Sequence, residues 1–116
     1  MIKKILTLTG NVEIDFSLIH YLDYEKNIIT LKGDSVKYLV RGSLSSLSSQ
    51  LSDTFVSIDR SRLINVLYVD SLSKDNATVL MKNGESFSVS RRKQNHLRGV
   101  LSRVYSDLIP SIRIEA

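Results

Sequence analysis

Apolar and polar residues alternate in short runs through most of this chain, and turn residues punctuate them. Residues 4–8 and 12–16 flank Thr9-Gly10-Asn11, which predicts a hairpin. Residues 19–23 and 28–32 flank Tyr24-Glu25-Lys26-Asn27, a second turn. Gly33-Asp34 then separates 28–32 from a strand at 36–40. Further along, residues 66–72 and 77–82 flank a turn at 73–76, and Asn83-Gly84 leads into a strand at 85–89. Asn-Gly suits the two positive-φ positions of a two-residue hairpin loop. Many strands of about five residues joined by short loops predict an antiparallel arrangement, because parallel neighbours need crossovers of a dozen residues or more.

Two segments change period. After Gly42, Leu44, Leu47 and Leu51 fall on one helical stripe, predicting a short helix near 43–51 with Ser43 as its cap. Its serines are poor helix formers, so packing has to hold it. Near 91–109, Leu97, Val100, Leu101, Val104, Tyr105, Leu108 and Ile109 follow the 3.6-residue period until Pro110 stops it. The stripe predicts a core-facing helix, with a partner interface as the alternative. Ser90 is placed to cap this helix, whose first turn carries Arg91, Arg92 and Lys93. Cations there oppose the helix dipole, which points to a use for them elsewhere. The fold class is therefore mainly β with two helices, arranged as one domain over 1–110 and a tail at 111–116.

Composition narrows the function. At 116 residues, 42% hydrophobic and 24% charged, the chain fits one globular domain. It has no cysteine, which excludes disulfides and thiolate metal sites, and no run near the ~18 apolar residues of a spanning helix. The Met1–Leu6 start lacks an adequate apolar stretch for a signal peptide, so neither secretion nor membrane insertion is expected. Net charge is +4, but it is unevenly spread: −1 over residues 1–59, +6 over 60–103 and −1 over 104–116. Such concentration fits a polyanion-binding face, a solvated basic surface being the alternative.

Catalytic patterns are missing from the sequence. The five glycines are scattered at turns rather than in a phosphate loop, and His20 and His96 have no ligand-spaced partners. No base or oxyanion site marks any of the serines as a nucleophile. No cofactor, metal or small-molecule substrate is expected, and the chain does not read as an enzyme.

A second cationic cluster is Arg60-Ser61-Arg62, bracketed by Phe55, Val56, Ile58, Leu63 and Ile64. In extended chain the two arginines share a face and Ser61 opposes them. A guanidinium fork can grip a phosphate or the guanine O6/N7 edge; pairing with Asp59 or another nearby acid is the competing use.

The order of features resembles the LytTR DNA-binding domain. The run from Phe55 through Arg60-Ser61 to Ile64-Asn65 is similar to that family's phenylalanine, His-Arg-Ser motif and aliphatic-Asn pair. Val69-Asp70-Ser71-Leu72 follows in place. Asn83-Gly84, and then Val89-Ser90-Arg91, resemble its Gly-containing hairpin and Val-Ser-Arg motif. Tyr21-Leu22-Asp23-Tyr24 and Leu39-Val40-Arg41-Gly42-Ser43-Leu44 resemble earlier parts, so the likeness runs from about Ile14 to Leu101. One departure is Asp59, which stands where the family usually has histidine.

That resemblance implies an elongated, mostly antiparallel β domain that binds double-stranded DNA through loops, within a bacterial, cytoplasmic transcription regulator. A two-component response regulator is the natural parent, and a homodimer on DNA is an open expectation. It places Arg60 and Ser61 on one DNA-facing loop, Ser90, Arg91 and Arg92 on another, and Lys26 and Asn27 on a third. Arg91 is expected to read a base, with Arg60 second. Lys93, Arg92, Arg62 and Lys26 are expected to hold phosphates, which position a protein without reading sequence. The rival reading is a protein-interaction module that uses the basic face and exposed strand edges. RNA is a weaker third, since the aromatics form no adjacent stacking platform.

Overall fold

The computed structural model describes residues 1–106 and 113–114. Alternation produces strands where expected: β1 (Ile2–Thr7) and β2 (Gly10–Asp15) form a hairpin, and β3 (Ile19–Glu25), β4 (Ile28–Gly33) and β5 (Lys37–Arg41) a meander. The chain then passes through α1 (Leu44–Ser48) to a second hairpin, β6 (Phe55–Asp59) and β7 (Arg62–Asn65). Strand β7 pairs with β3, giving a five-stranded sheet in the order β5-β4-β3-β7-β6. Strands β8 (Val69–Leu72), β9 (Thr78–Met81) and β10 (Ser86–Ser88) build a smaller antiparallel sheet. The helix α2 (Arg91–Ser106) follows. The molecule is elongated, 45 × 28 × 24 Å.

The five-stranded sheet is covered on both faces, so neighbouring residues of one strand serve different cores. On β3, Tyr21 packs toward the smaller sheet and α2, while Leu22 packs toward the β1–β2 hairpin and α1. On β7, Ile64 and Leu63 divide in the same way. Leu97, Val100 and Leu101 of α2 are buried against Val56, Ile58 and Val69, with Val104 partly buried. Through Tyr105, the described part of this stripe is core rather than a partner interface. Fully burying a large aliphatic side chain stabilises by roughly 1.5–3 kcal/mol, which is what holds the serine-rich α1 through Leu47.

Three local expectations are corrected. The segment 66–72 is not one strand: Val66–Tyr68 is a 3-10 turn and the strand begins at Val69. Asn65 causes the break, its Oδ1 accepting from the Leu67 N–H at 3.2 Å. The two turn types are also exchanged. The loop at Asn83-Gly84 has three residues, with only Gly84 left-handed (φ 95°), and the Gly84 N–H donates to the Met81 carbonyl at 3.0 Å. The turn after β3 shrinks to Lys26-Asn27, both left-handed (φ 52° and 66°), the type I′ geometry that matches strand twist. Within the expected tail, Arg113–Ile114 (β11) pairs parallel with β8. The expected end of the last helix, 107–109, and Pro110 lie outside the described residues.

Candidate nucleic-acid interface

The β6–β7 hairpin turns because Asp59 folds its carboxylate over the tip. Its Oδ1 accepts from the Ser61 N–H at 2.7 Å and from the Ser61 hydroxyl at 3.0 Å, an Asx turn. Arg60 and Ser61 are therefore the exposed tip of a two-residue turn rather than a stretch of strand. The Tyr24 N–H donates to the Ser61 carbonyl at 2.7 Å and ties this tip to β3. Asp59, at the position where the resemblance leads one to expect histidine, thus has a local use, because a short acceptor holds the turn shut.

The start of α2 docks beside this tip. Its anchor is the Ser90 N–H, which donates to the Ile58 carbonyl on β6 at 2.8 Å. The expected side-chain cap is not formed; the Ser90 carbonyl instead accepts from the Lys93 N–H at 2.9 Å. An open groove of about 1070 Å³ lies between the two elements. Arg60, Ser61, Ser90, Arg92 and Lys93 line it, with Tyr24 and with Ser45 and Ser48 of α1. Among the described residues Asp59 is the only acid on its wall, and it is engaged by Ser61. The first turn of α2 carries no acid, so the positive helix end and its cations add rather than cancel.

The remaining candidates fall outside the groove wall. Arg91 is exposed and heads α2 between two lining residues, but does not itself line the groove. Lys26 and Asn27 are exposed in their turn, and Asn27 is joined to the groove wall through Tyr24, whose hydroxyl donates to Asn27 Oδ1 at 2.9 Å.

Arg62 departs from expectation. The turn at Arg60-Ser61 breaks the alternation that put Arg60 and Arg62 on one face, and Arg62 points back into the protein. Its Nε donates to Asp23 Oδ1, and its guanidinium lies over the rings of Phe87 and Tyr21. Burial alone would lower its pKa, but the hydrogen bond and charge of Asp23, with Asp59 and Tyr21, raise it overall. The structure therefore gives this charge an internal partner.

Tyr24, Ser45, Ser48 and Ser57 also line the groove, beyond the residues expected from the sequence. Tyr24 has a usable signal in opening the turn that carries Lys26 and Asn27, and Ser57 in lying two positions before Asp59 in the same strand. The serines of α1 carried none. Neither histidine takes part. His20 is buried beside Asp34 (3.3 Å) and stacks on Tyr68 (4.0 Å between ring centres), and His96 is exposed on α2. Among the described residues no helix is long and apolar enough to cross a membrane.

Comparison with known proteins agrees with this architecture. The family profile of the LytTr DNA-binding domain matches residues 10–102. No curated protein matches the sequence. Among solved structures, one described as the LytTr DNA-binding domain of a methyl-accepting/DNA response regulator from Bacillus cereus superposes with a TM-score of 0.72. It is 24% identical, and the match covers 86% of this chain and 95% of that one. Mainly antiparallel sheets, a C-terminal helix and a profile spanning most of the sequence lead to one assignment: the chain belongs to the LytTr DNA-binding domain family, a DNA-binding rather than a catalytic family.

Proposed function

We propose that this domain binds duplex DNA sequence-specifically by presenting the β6–β7 turn and the start of α2 to the grooves. The observation that carries this is their convergence on one cation-lined groove, fixed by the Ser90–Ile58 backbone bond. Arg60, Arg92 and Lys93 supply positive charge there, and Ser61 and Ser90 supply short polar contacts. Arg91 extends from the same helix start to a base edge, with Arg60 as the second reader. Lys26 and Asn27 add a third contact from the β3–β4 turn. Arg62 has no part in this set.

The domain would act within a cytoplasmic transcription regulator, in the manner of a response-regulator output domain, as one or two copies on DNA. The B. cereus neighbour's description supports that context. Selection of bound duplexes from a random library, followed by a salt titration of the winner, tests the proposal. Enrichment of a defined sequence, with affinity falling linearly on a log–log salt plot, is the expected result. Salt-sensitive binding without any enriched sequence would show a basic surface only.

A further inference from the structure

The β3–β4 turn fixes the amide of Asn27 as well as its backbone. Left-handed φ values at Lys26 and Asn27 set the turn, and the Asn27 carbonyl accepts from the Gly42 N–H at 2.9 Å. The side chain is then held by a second residue: the Tyr24 hydroxyl donates to Asn27 Oδ1 at 2.9 Å. Tyr24 is half-buried and lines the groove, so its ring is confined by the protein rather than free to follow the amide. An amide has one acceptor end and one donor end. Tyr24 occupies the acceptor, and Nδ2 makes no hydrogen bond within the described residues.

From this arrangement we infer that Tyr24 is a positioning residue that fixes the polarity of Asn27, presenting it to a major-groove base edge as a donor. The inference rests on the proposed reading of DNA and deepens it. In the major groove guanine, adenine and thymine each offer an acceptor, whereas cytosine offers only its N4 amino donor. A donor held outward therefore rejects cytosine on the strand it faces. The bidentate pairing of asparagine with adenine needs Oδ1 as well as Nδ2. With Oδ1 turned toward Tyr24 and one of its two lone pairs taken, Nδ2 is the end left for the base, and Asn27 excludes one base rather than choosing one. Tyr24→Phe removes the hydroxyl and keeps the ring, leaving the amide free to turn and offer either end.

Binding-site selection on wild type, Tyr24→Phe and Asn27→Gly tests this, with melting temperatures recorded alongside. Glycine tolerates the left-handed turn, so Asn27→Gly removes the amide while keeping the backbone. Wild type should deplete cytosine at one position by roughly fivefold or more. Tyr24→Phe should restore cytosine at that position, and Asn27→Gly should lose discrimination at the same one. A Tyr24→Phe selection identical to wild type overturns the role of Tyr24 and leaves the DNA-reading proposal standing. Flattening at every position together with a lower melting temperature also overturns it, by showing a merely structural role. A wild-type selection that enriches no sequence removes the DNA-reading proposal, and this inference with it.

Discussion

The guanidinium of Arg62 lies 3.9 Å from the ring centroid of Phe87, joining the five-stranded sheet to the smaller one. Its Nε is held by Asp23 on β3, while the Tyr21 ring stands edge-on to Phe87 at 4.9 Å. A cation over an aromatic face contributes about 0.5–2 kcal/mol as it becomes desolvated. Removing it also leaves the Asp23 carboxylate, only 34% exposed, without its partner.

Arg62→Met keeps much of the stem and loses the charge. Equilibrium unfolding in urea should show a loss of about 1–3 kcal/mol. The salt slope of DNA binding should stay at the wild-type value, because no phosphate contact has gone. A fully stable variant whose log–log slope falls by roughly 0.9 would return Arg62 to the DNA surface.

Tyr21 shares this junction, and its hydroxyl donates to Glu85 Oε2 at 2.9 Å. Burial, then the hydrogen bond and charge of Glu85, push its pKa up to about 12 from a usual value of 10.0. The folded state thus favours the neutral phenol. That stabilisation is fully present below pH ~10 and is lost as pH rises toward ~12. Its size is on the order of 1–2 kcal/mol. Urea midpoints of wild type and Tyr21→Phe should differ at pH 8 and converge between pH 10 and pH 12. Parallel pH curves for the two proteins would show that Tyr21 is not the source.

How far the sequence reveals this structure depends on how local each cause is. Alternation locates the strands because their burial has period two, and the stripe of Leu97, Val100 and Leu101 locates α2. Two-sided burial of β3 is hidden, since Tyr21 and Leu22 are simply consecutive apolar residues whose cores form from elements far along the chain. The exchange of turn types follows from register. Asn83-Gly84 has the type I′ residues, but the register closes as a three-residue loop, whereas β3 extends to Glu25 and forces Lys26-Asn27 into that geometry. At the site, the family-like motifs single out Arg60, Ser61, Ser90 and Arg92, and the cationic first turn adds Lys93; all five line the groove. The pairing of Arg62 is not legible locally, because its partner, Asp23, is 39 residues away while the acid nearest in sequence, Asp59, serves the turn. The contribution of α1 had no local signal at all.

Asn65 shows how a motif residue can serve the fold. It is buried, donates from Nδ2 to the Ile19 carbonyl at 3.0 Å and accepts from the Leu67 N–H at 3.2 Å. It therefore satisfies one backbone group on each side of the β3–β7 pair. Asn65→Ala should cost about 2–4 kcal/mol, since a buried carbonyl and an amide lose their partners together. Asn65→Asp keeps the acceptor but removes the donor and adds a buried charge, so it should be at least as damaging. Unfolding measurements check both; an Asn65→Asp protein as stable as wild type would show that the Ile19 bond is dispensable.

The groove cations separate by how they fail. Lys93 and Arg92 sit on the first turn of α2 and line the groove beside Arg60. As phosphate anchors, Lys93→Ala and Arg92→Ala should each lower the log–log salt slope by roughly 0.9 and weaken selected and random duplexes alike. Arg91 precedes them at the helix start and is exposed off the groove wall. As a base reader, Arg91→Ala should cost about 1–3 kcal/mol on the selected site and relax preference at one position, with a smaller effect on random duplex. Titrating all three variants against both duplexes at several salt concentrations distinguishes the roles. If Arg91→Ala weakens both duplexes equally, Arg91 is a further anchor, and base readout falls to Arg60 and the Asn27 turn.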